Sequence, residues 1–277
     1  MNRNVIISTG AFIGRVNDRN RMMFINSASS LCGRRFEFMV YNSWGDSTGD
    51  YIRDFLMPGF EYPVLHADKN IGELVSLSKD NIPEAVELFG KNCKYASALG
   101  AEKIVLHLWN GPASDRNFGN HLSALPYFID VAEGAGLLLT VENVVCAAET
   151  PLSRMAELHS YFPDLKFTFD TKMAAFHGEM EKICSGDYRY FWEEGLIRHI
   201  HCNDFGGTAG DFSTLRTLHI GQGNIDFISF FRFLRSVGYS GSMTLECTCM
   251  RPDGSVDPEA MNRDVAEVGR LMELAGL

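Results

Sequence analysis

Four residues of metal-binding type, Glu142, Asp170, His201 and Glu246, each close a short apolar run: LLLTVEN, KFTFD, IRHIH and SMTLE. A carboxylate at the end of a buried strand loses its hydration and needs something there to compensate its charge. Taken singly, each residue has an ordinary use. A strand-end histidine can be hydrogen-bonded scaffolding, and a strand-end glutamate can pair with a cation such as Lys172, Arg198 or Arg216. Together, two Glu and one Asp put up to three negative charges on one rim, and a divalent ion resolves that repulsion. The mixed oxygen and nitrogen set suits Mn, Zn, Co, Mg or Fe and does not choose among them.

The elements that must position these groups follow from the alternation of apolar runs. Eight β-branched or aromatic runs read as strands: VIIST (5–9), FEFMVY (36–41), PVLHA (63–67), KIVLHLW (103–109), LLLTVEN (137–143), KFTFD (166–170), IRHIHC (197–202) and SMTLEC (242–247). Helical periodicity lies between them, at Ile82–Leu99 with Asn81 as a plausible N-cap, at Ile225–Val237 and at Pro258–Leu274. Three links, SALGAEKIVL, AEGAGLLLTV and SVGYSGSMTL, run helix, glycine turn, strand. The link NSWGDSTGDYIRDFLMPG reads as mostly loop. Eight βα units spaced roughly 30–45 residues apart make a closed ring, so the fold class is α/β, a single-domain (β/α)8 TIM barrel over 1–277.

Such barrels carry their functional groups where strands end. That rule adds His66, His107 with Trp109, Asn143 beside Glu142, Lys172 beyond Asp170, and Asn203 and Asp204 beyond His201. Trp109, Trp44 and Phe205 fall on or near rim loops, where an aromatic face suits a sugar and loop packing is the plain alternative. Glu37, inside FEFMVY, faces either the barrel or a substrate.

Composition narrows the partners. The chain has 277 residues, 45% apolar and 22% charged, with a net charge of −10, so its surface repels phosphate backbones and nucleic acid is disfavoured. Seven cysteines without a CxxC read as reduced, small apolar residues of a cytoplasmic protein. The first residues, with Arg3 ahead of an interrupted apolar run, read as a strand rather than a signal peptide. No run approaches the ~20 apolar residues that span a bilayer. The Phe-rich helix 225–237 leaves room for a homo-oligomeric contact.

The motifs TVENV, FTFDTK, HIHCND, LHIGQGNIDF (218–227) and MTLEC together resemble the xylose isomerase-like TIM-barrel superfamily of sugar-phosphate isomerases and epimerases, inosose dehydratase and endonuclease IV. The resemblance covers nearly the whole chain. It implies one divalent metal held by Glu142, Asp170, His201 and Glu246. It also implies that Glu142 and Glu246 shuttle a proton beside a carbonyl that the metal polarises. The expected activity is isomerase or epimerase chemistry on a small sugar, sugar phosphate or related polyol carbonyl compound. His66, His107, Trp109, Asn143 and Lys172 are expected to line its pocket, Lys172 drawing in a phosphate or carboxylate. The alternatives are dehydration of an inositol-type substrate and an endonuclease IV-like zinc nuclease with a second metal at His66 and His107. Against the nuclease, Met173 stands where the family has a histidine, and Leu215-Arg216-Thr217 replaces its Asp-x-His. His177, seven residues after Asp170, reaches the site only if its loop folds back.

Overall fold

The computed structural model describes residues 4–13 and 21–277, so Arg3 lies outside it. Eight parallel strands close a barrel in sequence order: β1 (Val5–Ser8), β2 (Arg35–Met39), β3 (Glu61–His66), β4 (Lys103–Leu106), β5 (Leu138–Glu142), β6 (Lys166–Asp170), β7 (Ile197–Cys202) and β8 (Ser242–Leu245). Each pairs with the next, and β8 returns to β1 through Val5↔Met243, Ile6↔Thr244 and Ile7↔Leu245. Every expected strand is present, though several end a few residues earlier than their apolar run.

Alternation along each strand sends one set of side chains out to the helices and the other into the barrel. The outward set is aromatic. Phe38 meets Phe55 at 4.9 Å between ring centroids, and Phe169 meets Trp192 at 5.5 Å. The inward set is mixed: Ile6, Val64 and Val105 form a small apolar cluster, while Thr140, Thr168, His199, Thr244 and Glu37 bring polar atoms to the same interior. Glu37 thus faces the barrel and not a substrate.

The helix Ile82–Leu99 has the expected bounds and stops at Gly100, whose φ of 71° only glycine adopts cheaply. Gly136 and Gly238 end the other two links in the same way. Asn81 does not cap that helix: its side-chain amide donates to the Leu74 carbonyl, and Ser78 receives the Asp80 N–H instead. The Phe-rich helix runs Phe227–Ser236, capped by Asp226, which accepts from the Ser229 N–H at 3.0 Å. Its Phe227, Phe230, Phe231 and Leu234 are buried on the barrel. The link after β2 is not a loop. A 3-10 turn, Asn42–Ser47, leads into the helix Thr48–Phe55, because Ile52 and Phe55 supply an apolar stripe that tertiary packing rewards despite poor local propensity.

Among the described residues no helix is long and apolar enough to cross a membrane. All seven cysteines are free thiols, and five of them are buried.

The helix Phe118–Gly134 buries His121 against Trp109 and Phe118, with its Nε2 3.0 Å from the Ser76 hydroxyl. Burial pushes this imidazole down to about 4. Unfolded, the ring takes a proton near its ordinary 6.5; folded, it stays neutral until about 4. Its contribution is therefore complete above pH 6.5 and is lost as pH falls toward 4, worth about 3 kcal/mol in all. In denaturant titrations at pH 7 and pH 4.5, His121→Gln should lose less stability across that interval than the wild type. An equal loss would show that His121 titrates normally in the fold.

Candidate metal centre

The strand ends converge on Glu142. Its Oε2 lies 2.8 Å from His107 Nε2 and 3.4 Å from His66 Nε2, and its Oε1 lies 3.3 Å from His201 Nδ1. His66 of β3, His107 just beyond β4 and His201 of β7 thus turn imidazoles onto one carboxylate of β5. Burial works against the charged form of Glu142, but His107 and His201 overcome it and hold its pKa well below the usual carboxylate range. His107 itself is pushed down to about 4 by burial, against the pull of Glu142.

Glu246, just beyond β8, approaches the same histidine, with Oε2 3.6 Å from His201 Nδ1. Asp170 ends β6, and donor atoms of Glu142, Asp170 and His201 all lie within 4.8 Å of one another. Asp170 Oδ1 accepts from the Met173 N–H at 2.8 Å, capping the short helix Thr171–Phe176, which leaves Oδ2 for the centre. Burial raises Asp170 to about 6, with Glu142 and Glu246 adding to the rise and Lys172 opposing it. Arg198 and Arg216 are exposed, and among the described residues neither pairs with the acidic cluster, which histidines and Lys172 face instead.

Donor chemistry fits a divalent cation. Glu142 Oε2, His201 Nδ1 and His66 Nε2 are buried and make no well-formed hydrogen bond, although they crowd together. Unsatisfied buried polar atoms are rare and costly, and a cation would satisfy several at once. Donor atoms cluster as Glu142, Asp170 and His201, as Glu37, His66, His201 and Glu246, and as His66, His107 and Glu142. The first two clusters share His201, so Glu142, Asp170, His201 and Glu246 could together hold such an ion, with the His66, His107 and Glu142 triad adjoining.

Other expected pocket residues are placed differently. Lys172 does line the open cavity, about 640 Å³, together with Glu246, Thr217, Asp68, Lys69 and Asn110. Its Nζ donates to the Thr217 hydroxyl at 3.0 Å. His66 and His107 are buried and point to Glu142 rather than into that cavity. Asn143 is spent on backbone: its Nδ2 donates to the Asp170 carbonyl at 3.1 Å and its Oδ1 accepts the Asp170 N–H. Trp109 is fully buried beneath the rim, its indole N–H on the Val144 carbonyl, because the aromatic ring packs better on Phe118 than on water. Trp44 and Phe205 are likewise core residues. His177 turns away and accepts from the Cys146 N–H at 3.2 Å.

Two residues outside the proposed ligand set support it. Asn203 donates through Nδ2 to both Asp170 Oδ2 and Glu246 Oε2, each at 3.1 Å, and so fixes two carboxylates at once. Glu37 touches His201 from below. Asp204 carries no rim role. Its carboxylate accepts the Gly221, Gly223 and Ile225 N–H groups and ties the IGQGNIDF turn to the end of β7. A Cβ at Gly223 would strike that carboxylate, and one at Gly72 would strike the His107 carbonyl, which lets the helix Asn70–Leu77 settle on the end of β4.

Comparison with known proteins agrees with this architecture. The chain matches an uncharacterized protein of Methanocaldococcus jannaschii, MJ1311, at 27% identity over 168 residues, 54% of this chain and 52% of that protein. It therefore spans about half the length of that curated relative. Among solved structures, D-allulose 3-epimerase from Methylomonas sp. in complex with D-allulose superposes with a TM-score of 0.63 at 18% identity, covering 99% of this chain and 93% of the other. The IOLI protein with a bound zinc atom superposes with a TM-score of 0.69 at 14% identity, covering 97% and 98%. Those two likenesses speak for the fold. The family model of the xylose isomerase-like TIM barrel matches residues 40–271, and the chain belongs to that family.

Proposed function

We propose that this protein is a metal-dependent isomerase or epimerase of a small sugar, sugar phosphate or related polyol carbonyl compound. The observation that supports the reading is that donor atoms of Glu142, Asp170 and His201 lie within 4.8 Å of one another, with Glu246, which lines a polar cavity, 3.6 Å from the same histidine. One divalent ion held by those four residues would supply Lewis acidity to a substrate carbonyl. The D-allulose complex of a structurally similar epimerase supports a small carbohydrate as the ligand class.

The chain's own groups divide the remaining work. Glu246 lines the cavity and is partly exposed, so it can reach a C–H bond of a bound substrate and take its proton. Glu142, whose Oε1 approaches the same His201 Nδ1, is the partner for returning a proton. Lys172 puts a cation at the cavity wall, suited to a phosphate or carboxylate on the substrate. Asn203 keeps Asp170 and Glu246 in register.

The test is a metal analysis of the purified protein followed by a screen of ketoses, aldoses, their phosphates and inositol derivatives. About one metal per chain with turnover of a small carbohydrate is expected. Lys172→Met should raise KM for a phosphorylated or carboxylated substrate about tenfold or more, while KM for a neutral sugar stays within twofold. The adjoining His66, His107 and Glu142 triad makes a two-metal centre the rival reading. Two zinc ions per chain with cleavage of abasic DNA and no sugar turnover would replace the isomerase.

A further inference from the structure

Glu37 is a carboxylate in the middle of the barrel, completely buried, where the fold itself requires no charge. The same interior holds an apolar cluster of Ile6, Val64 and Val105. A buried carboxylate costs several kcal/mol unless donors surround it. Here Oε2 receives the Thr244 hydroxyl at 2.8 Å, His199 Nε2 at 2.9 Å and His201 Nε2 at 3.2 Å.

The directions of these hydrogen bonds follow from the carboxylate, which when ionised can only accept. His199 Nε2, 2.9 Å away, and His201 Nε2, 3.2 Å away, must therefore each carry the proton they donate to Glu37. A neutral His199 then has a bare Nδ1, which accepts the Ser242 hydroxyl at 2.7 Å. Lys103 Nζ donates to the same hydroxyl oxygen at 2.9 Å and completes the line. That leaves His201 Nδ1, buried and without a hydrogen bond, 3.3 Å from Glu142 Oε1 and 3.6 Å from Glu246 Oε2.

We infer that Glu37 is a positioning residue for the metal centre: it holds His201 in the Nε2–H form, with the Nδ1 lone pair aimed between Glu142 and Glu246. A carboxylate on the far nitrogen fixes the ring's rotation and makes the ligating nitrogen more basic. The line Lys103–Ser242–His199 fixes the orientation of Glu37 in turn. This inference rests on the metal reading above.

The experiment uses zinc alone as the probe. Protein with ¹⁵N-labelled imidazoles is loaded with one equivalent of zinc, and long-range ¹H–¹⁵N spectra assign the protonated nitrogen of His201. Nε2–H with a zinc-shifted Nδ1 is expected. In competition with a chelator, Glu37→Gln should weaken zinc binding about 10- to 100-fold with unchanged stoichiometry at saturation. Thr140→Val, which removes an interior hydroxyl that touches Thr168 and not His201, should leave zinc affinity within twofold. Zinc bound through Nε2, or wild-type affinity in Glu37→Gln, overturns the positioning role while leaving the metal centre standing. Failure of the wild type to take up zinc removes both. If Glu37→Gln does not fold, the wild-type spectrum decides alone.

Discussion

Glu246→Gln is expected to abolish exchange of the substrate's carbon-bound proton with deuterated solvent, lowering the exchange rate by about 10²–10⁴-fold. The substitution keeps the shape of the side chain and an oxygen for Asn203 Nδ2, and removes both the negative charge and the ability to accept a proton, so exchange is read at saturating metal. Among the four proposed ligands Glu246 is the one that lines the open cavity, with 16% of its side chain exposed, against 2% for Glu142 and 0% for His201. Its pKa lies below the ordinary carboxylate value: burial resists ionisation, but His201 outweighs it, so the group is ionised at neutral pH. Exchange monitored by NMR, or by mass increase of recovered substrate, is the readout. Unchanged exchange would remove Glu246 from proton transfer and leave it a ligand only.

Glu142→Gln should act on the metal instead. Glu142 is the carboxylate that His66, His107 and His201 all approach, and it belongs to two of the donor clusters there. Replacing it with an amide leaves three buried imidazoles facing a neutral and partly donating group. We expect metal affinity to fall about 100-fold or more, a larger loss than for the Glu37 variant because a ligand is removed and not its support. Elemental analysis after dialysis against a weak chelator measures it. Retention of a full equivalent of metal would place the centre elsewhere. The two variants together separate chemistry from binding: Glu246→Gln should lose exchange at saturating metal, whereas Glu142→Gln should lose the metal first.

Much of the site was legible in the chain because strand ends in a parallel barrel are a one-dimensional signal. Glu142 and Asp170 terminate their strands as read, His201 is the next-to-last residue of β7, and Glu246 follows β8 directly. The rule says which residues reach the rim and nothing about which way each turns. His66 and His107 reach it but turn to Glu142, and Trp109 folds under it to pack on Phe118. Asn143 has the right position but spends its amide on the Asp170 backbone. Glu37 carried a readable mark, an acid at an alternating position between Phe36 and Phe38, yet its partners His199, His201 and Thr244 lie more than 160 residues away. The helix Thr48–Phe55 went unread because its stability comes from packing against the barrel and not from local propensity.

The chain alone determined the fold class, the number and order of strands, and the set of acid and imidazole groups brought to one rim. Those properties follow from period-two and period-3.6 patterning, which act over a few residues and are written locally. Only the tertiary structure decided which groups share a centre, which are spent on backbone or core, and that a carboxylate from β2 supports a histidine from β7. Such pairings depend on rotation about side-chain bonds and on contacts across the closed ring, where the neighbours of a residue are set by barrel closure and not by its position in the chain.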